Sequence, residues 1–280
     1  LKTAMLELSQ VSEMGVDPTG PKVIIDANLL LQPDYLQLAY QPKVATRSGE
    51  ALGVEALVRW RHPEHGDVSP AIFVALIEQE GRTGELLDIV MSMAARDRKR
   101  YRALASMPDI SINISVLDLD DEELPRRAQK ILLEAAPADR WTFEVTETAP
   151  ITDVAPALSI LTRLRIAGFK LSVDDFGTGT SNYERLLVAP FTELKIDRAM
   201  VSRLDINADE PDPMVRSGID VGHSLQLQVV AEGVESVDQF RMVRDLGCDA
   251  AQGYLISPPV APVQLDMALD DWRRKFEYLS

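Results

Sequence analysis

The chain is short of the residues that make covalent staples and soft metal sites. Its 280 residues include one cysteine, Cys248, and three scattered histidines, His62, His65 and His223. A lone thiol forbids an internal disulfide and fits a reducing compartment, so a cytoplasmic location is expected. Cys248 itself reads as a small buried hydrophobe, and three dispersed histidines do not make a histidine-rich zinc site. No apolar run approaches the roughly 18 residues that would span a bilayer, and the start has no signal-peptide pattern. Basic residues are also in deficit, with 29 Lys and Arg against 44 Asp and Glu and a formal net charge of −15. Such a surface argues against nucleic acid and against an anionic membrane, both of which need basic patches. A small anionic ligand is compatible with it, provided a metal or a few local cations reverse the sign in one pocket.

What is present is alternation. Strand-like runs fall at 36–44, 51–60, 109–115, 141–147, 169–175, 192–197, 227–233 and 249–257, and amphipathic helical stretches at 70–81, 85–105, 123–136, 155–168, 212–225 and 236–247. The first two strands are separated by a few residues around Gly49 and predict an antiparallel hairpin. The remainder read as β-α-β units with parallel pairing. Eight strands in about 245 residues suit a (β/α)8 TIM-like barrel, an α/β fold, with one antiparallel strand at the start. An open doubly wound sheet is the competing architecture, but no Gly-rich phosphate fingerprint follows the first strand. Residues 1–30 carry a weak helical pattern broken at "GVDPTGPK" and start at Leu1 rather than Met. They are expected to be a connector from an upstream module, with residues 31–280 as the domain proper. The acidic stretch 205–213 reads as a loop within that domain.

In such a barrel, chemistry sits at the C-terminal ends of the strands. The strand runs present, in order, Glu55 followed by Arg59, Asn113, Glu144 followed by Glu147, Asp174 with Asp175, Lys195 with Asp197, Glu232 followed by Glu235, and Gln252. Any one of these has a bland reading as a turn residue, an outward position or a snorkelling lysine. Several carboxylates converging on one rim, with only Lys195 and Arg59 as counter-charges, are costly without a cation. The donors are all carboxylate or amide oxygens, a hard set that selects Mg2+ or Mn2+ over Zn2+. The ligand count exceeds the needs of one ion. Two ions bridged by one carboxylate suit in-line displacement at phosphorus, with Asp174 as bridge and Asp175 turned to the second ion. "DFG" at 175–177 is not a kinase signature, because no HRD loop or Gly-rich loop accompanies it. "GTGTSN" at 177–182 lacks the Gly-Lys-Ser/Thr of a phosphate loop. A Mg2+ barrel enzyme that abstracts a proton with Lys195 is a third reading, but it does not need seven rim positions.

These residues resemble a known family. "EALVRW" (55–60), "NIS" (113–115), "FEVTE" (143–147), "DDFGTG" (174–179), "LKIDR" (194–198), "AEGVE" (231–235) and "QGY" (252–254) stand in the order and spacing of the EAL domain family, bacterial phosphodiesterases specific for cyclic di-GMP. The resemblance covers about residues 30–270. It implies hydrolysis of cyclic di-GMP to linear pGpG with two Mg2+ or Mn2+ ions, homodimers, and a regulatory sensor or receiver domain upstream. It implies that Glu55, Asn113, Glu144 and Asp174 hold one ion and that Asp174, Asp175 and Glu232 hold the other. Lys195, Glu232 and Glu147 match the catalytic set, Lys195 being the lysine that contacts the attacking water. Glu147 and Glu235 match acids that brace the loop after Asp175 and the rim. Gln41, Glu55, Leu57, Arg59, Asp197, Glu235 and Gln252 match substrate-binding positions. Some relatives bind cyclic di-GMP without cleaving it, after losing a metal acid or the lysine; none of those positions is missing here. The departure lies at Thr180, Ser181 and Asn182, where the family continues Tyr-Ser-Ser, and Pro258 replaces a polar residue.

Overall fold

The computed structural model describes residues 3–4, 25–26, 29–146, 154–177, 189–204 and 212–279. Eight strands close on themselves: β1 (Leu36–Ala45), β2 (Ala51–His62), β3 (Ile110–Ile114), β4 (Trp141–Thr146), β5 (Lys170–Phe176), β6 (Glu193–Ile196), β7 (Gln228–Ala231) and β8 (Ala250–Gln252). Neighbours in the chain are neighbours in the barrel, and β8 pairs with β1 to close it. Strands β2 to β8 run parallel, and β1 is antiparallel to both its partners. The barrel with one antiparallel strand at its start is therefore the observed fold. A short strand, Gly66–Val68, continues β2 as a hairpin, and Thr3–Ala4 pairs with Ile25–Asp26. The rest of the expected 1–30 connector lies outside the described residues, apart from Leu29 and Leu30.

The β1–β2 hairpin turns at Gly49, whose φ of 71° is left-handed and favours glycine. A Cβ there would also run into the Phe276 ring. Trp272 seals this turn by donating its indole N–H to the Gly49 carbonyl at 2.9 Å. Around the barrel lie α1 (Pro70–Gln79), α2 (Thr83–Arg100), α3 (Leu124–Leu132), α4 (Val154–Ile166), α5 (Pro213–Ser224), α6 (Val237–Leu246) and α7 (Leu265–Glu277). The single helix expected over 85–105 is broken at Tyr101, which is extended (φ −106°, ψ 127°), so that Arg102–Ser106 forms a separate short helix burying Ala103 and Leu104. The strand expected over 249–257 ends at Gln252.

Alternation sorts the side chains. Outward positions such as Phe143, Val145, Leu171, Val173, Leu194 and Val229 pack against the helices in two apolar clusters. Each such side chain contributes about 1.5–3 kcal/mol on burial. Inward positions are largely polar: Gln41, Lys43, Glu55, Ser111, Thr142, Glu144, Ser172, Asp174, Glu193, Lys195 and Gln252 are all buried. Many barrels of this type fill the bore with branched apolar residues. Here the apolar core lies between sheet and helices, and the bore is reserved for charge.

Candidate active site

The two adjacent acids of β5 would normally point to opposite faces of the sheet. The register shows why they do not. Val173 pairs with Leu194 and Phe176 with Ile196, so Asp174 and Asp175 together oppose Lys195 alone. This is a β-bulge, two residues against one, which re-aims side chains. Asp175 supplies the kink with a φ of 55°, a left-handed conformation that Asp tolerates better than bulkier residues do. Its N–H donates to Asp174 Oδ1 at 3.1 Å. Carboxylate oxygens of Asp174, Asp175 and Glu232 consequently lie within 4.8 Å of one another.

Lys195 stands at the centre of the acids. Its Nζ is 2.6 Å from Glu232, 2.8 Å from Glu144, 3.0 Å from Asp174 and 3.6 Å from Glu55. Burial pulls the Lys195 pKa down, but the Glu144, Glu232, Glu55 and Asp174 carboxylates outweigh it and hold the ammonium well above its ordinary range. Five acids crowd around this ammonium, and burial together with their mutual repulsion raises three of them. Glu144 is pushed up to about 8, by burial first and then by Glu55 and Asp174, against the pull of Lys195. Burial raises Glu232 well above the carboxylate range, with Asp174 and Glu55 adding to it. Asp175 rises to about 6 through burial, Asp174 and Asp197. Glu55 escapes: burial raises it, but Lys195 and two amide donors bring it below its usual value. Those donors are Asn113 Nδ2 and Gln252 Nε2, each at 2.7 Å. Gln252 also reaches Gln41 Oε1 at 3.2 Å, and Gln41 donates to the Ser257 carbonyl at 3.1 Å.

The acids surround a pocket of about 240 Å³, whose walls include Gln41, Glu55, Leu57, Asp174, Lys195, Glu232, Glu235 and Gln252. The structure thus gathers eight of the sequence-selected residues in one place, with Glu144 and Asn113 bonded to its walls. Arg59 stands apart. Its Nη1 donates to the neighbouring Val58 carbonyl at 2.9 Å, and it lines an adjoining apolar cleft of about 330 Å³ that shares Leu57 with the first pocket. Asp197 sits at the edge, where its Oδ1 accepts the Ala199 N–H at 2.7 Å and caps the short helix Arg198–Val201. Glu147 and the stretch Thr180–Asn182 lie outside the described residues.

Besides Gly233 and Gly253, two pocket residues are not among the candidates read from the sequence, Arg198 and Tyr254. Arg198 extends along the rim and pairs with Glu235 at 2.8 Å. Its stem lies against Gly233, where φ is 64° and a Cβ would overlap it. Tyr254, 62% exposed, presents its ring at the opening. Both stood inside the quoted "LKIDR" and "QGY" motifs, so the signal was there.

The donor set fits a hard divalent cation. All its atoms are carboxylate or amide oxygens, suited to Mg2+ or Mn2+, and burial first, then the neighbouring carboxylates, raise the pKa of Glu144, Glu232 and Asp175. Among the described residues no helix is long and apolar enough to cross a membrane.

A sequence model of the EAL domain matches residues 26–259. A cyclic di-GMP phosphodiesterase of Pseudomonas aeruginosa is 36% identical over 242 residues, which cover 85% of this chain and 40% of that protein. The oxygen sensor protein DosP of Escherichia coli is 36% identical over 227 residues, covering 80% of this chain and 28% of DosP. The chain thus spans well under half the length of these relatives. Among solved structures, the MucR phosphodiesterase in complex with cyclic di-GMP superposes with a TM-score of 0.78 at 34% identity, covering 86% of this chain and 98% of that one.

Proposed function

Because the chain belongs to the EAL domain family, we propose that it is a metal-dependent phosphodiesterase that hydrolyses cyclic di-GMP to linear pGpG and so ends a second-messenger signal. The observation that carries this reading is Lys195 within 3.6 Å of four carboxylates from four other strand ends, beside a bulge that brings a fifth, Asp175, within 4.8 Å of two of them. Glu55, Asn113, Glu144 and Asp174 would hold one Mg2+ or Mn2+, and Asp174, Asp175 and Glu232 a second. Bound there, two such ions lower the pKa of a water and neutralise charge on the phosphodiester.

The chain's own residues supply the rest. Lys195 keeps a fixed positive charge at the pocket floor, where a phosphodiester oxygen or the attacking water is drawn to it. Glu55, braced by Asn113 and Gln252, holds its carboxylate in one orientation. Leu57 supplies an apolar wall, while Gln41, Gln252, Glu235, Asp197 and Arg59 offer polar edges to the nucleotide. The family resemblance adds Glu147 to the catalytic set. Capture of a dianion by a chain of net charge −15 then depends on local cations rather than on the global field. The relatives' additional length supports a regulatory sensor domain in the same polypeptide, and a homodimer is the proposed assembly.

The test is turnover of cyclic di-GMP with Mn2+ or Mg2+, with Glu55→Ala and Lys195→Ala as controls. Wild type should yield pGpG and both variants should lose it. Tight binding by wild type with no product under either metal would make the chain a silent cyclic di-GMP receptor instead.

A further inference from the structure

Beneath the pocket floor the bore carries a second layer of charge. Lys43 on β1 and Glu193 on β6 are 3% and 4% exposed and form an ion pair across the barrel. Each lies two residues along its strand from a pocket residue, Gln41 and Lys195, which sets the layer about 6.6 Å lower. Ser172, on β5, stands between them and the site: it is register-paired with Glu144 on one side and with Glu193 on the other. Ser172 Oγ and Glu193 Oε1 are buried and find no hydrogen-bond partner among the described residues. Lys43 in turn is register-paired with Gln252, the residue that donates to Glu55.

As pure scaffolding this layer is a poor choice. A buried ion pair is often no better than apolar residues of the same volume, and each unpaired buried polar atom costs free energy and calls for an explanation. Its position suggests the explanation. Carboxylates that bind cations are commonly held by outer hydrogen-bonding and charged partners, and losing such a partner typically weakens metal binding about 10–100-fold. Lys43 is the register neighbour of Gln252, whose amide bonds both Gln41 and Glu55, so the layer abuts the hydrogen-bonded chain that ends on Glu55. Ser172 is the register neighbour of both Glu144 and Glu193, and its buried hydroxyl bonds to neither of them.

We propose that Lys43, Glu193 and Ser172 form a positioning layer that holds Glu144 and Glu55 from below in the geometry a divalent cation requires. The proposal rests on the reading of the pocket as a cation site, and it is independent of which phosphodiester, if any, is cleaved there.

The test is Mn2+ binding to metal-stripped protein by calorimetry, read beside the melting temperature in EDTA. The Lys43→Met/Glu193→Met double variant removes one charge of each sign, so the local net charge is unchanged. It should melt at or above the wild-type temperature and bind Mn2+ about tenfold more weakly. Ser172→Ala removes only an unpaired hydroxyl and should keep its melting temperature while also losing Mn2+ affinity. It decides the matter if the double variant fails to fold. Lower melting temperatures with wild-type Mn2+ affinity in both variants would make the layer structural and overturn the proposal. Weakened binding in Ser172→Ala alone would remove Lys43 and Glu193 from it. Wild-type protein that binds no Mn2+ overturns the proposal and the cation reading together, whereas Mn2+ binding without turnover of cyclic di-GMP overturns only the latter's substrate.

Discussion

Asp175→Asn should make the metal-free protein more stable while impairing the site. Asn tolerates the left-handed backbone that position 175 adopts (φ 55°), so the exchange removes a charge with little change of shape. The cost of that charge can be worked from its displacement. Asp175 rises from an ordinary 3.8 to about 6, chiefly through burial and then Asp174. A shift of about 2 units corresponds to about 3 kcal/mol against the ionised form. The side chain is only half-buried, and solvent screening reduces the figure to about 1–2 kcal/mol. At about 2–4 °C per kcal/mol for a domain near this size, the variant should melt about 2–8 °C higher at pH 8 in EDTA. The sign with pH follows from linkage. Because the folded pKa is the higher one, the wild type is relieved as pH falls through about 6, and the advantage of the variant should nearly vanish by about pH 4. With Mn2+ the order should reverse, since only the wild type retains all three clustered acids. Differential scanning fluorimetry across pH, with and without Mn2+, reads all of this. A variant no more stable than wild type at pH 8, or a gain independent of pH, would refute the charge-repulsion argument.

Lys195→Met should destabilise the metal-free protein by about 3–5 kcal/mol, because it leaves buried carboxylates without their ammonium; Mn2+ should restore much of the melting temperature but none of the turnover. Metal-free wild type should itself melt higher as pH falls from 8 towards 5.5, since Glu144 (about 8) and Asp175 (about 6) both titrate above their unfolded values, and Mg2+ should flatten that dependence in the same thermal scans. Gly233→Ala should cost about 1–3 kcal/mol from the left-handed backbone and the overlap with the Arg198 stem. Urea titration should show part of that loss recovered in an Arg198→Ala background, where the overlapping stem is gone.

The barrel was legible because strand alternation survives in the sequence: all eight strand runs and the six expected helical stretches recur in the structure with shifted ends. α7 is not among the expected stretches, although Leu265, Leu269, Trp272 and Phe276 stand at helical spacing. Break points were less legible. Nothing in "RKRYRAL" announces the extended backbone at Tyr101. The pocket was readable as a set of strand-end acids, yet its decisive device was not. Adjacent Asp174 and Asp175 join the same acid cluster through a bulge, and a bulge is a property of register between strands, which one strand's sequence does not record. The same holds for Lys43 and Glu193. Both lie inside strand runs that the sequence shows, but their pairing across the bore exists only once the sheet has closed.

The central claim is that a cation-loaded pocket around Lys195 opens cyclic di-GMP. It is tested most directly by incubating the purified chain with cyclic di-GMP in Mn2+ and in EDTA and separating the nucleotides by chromatography. Conversion to linear pGpG with Mn2+ and none in EDTA is the predicted result. Conversion that proceeds equally in EDTA, or intact cyclic di-GMP in the presence of saturating Mn2+, would contradict it.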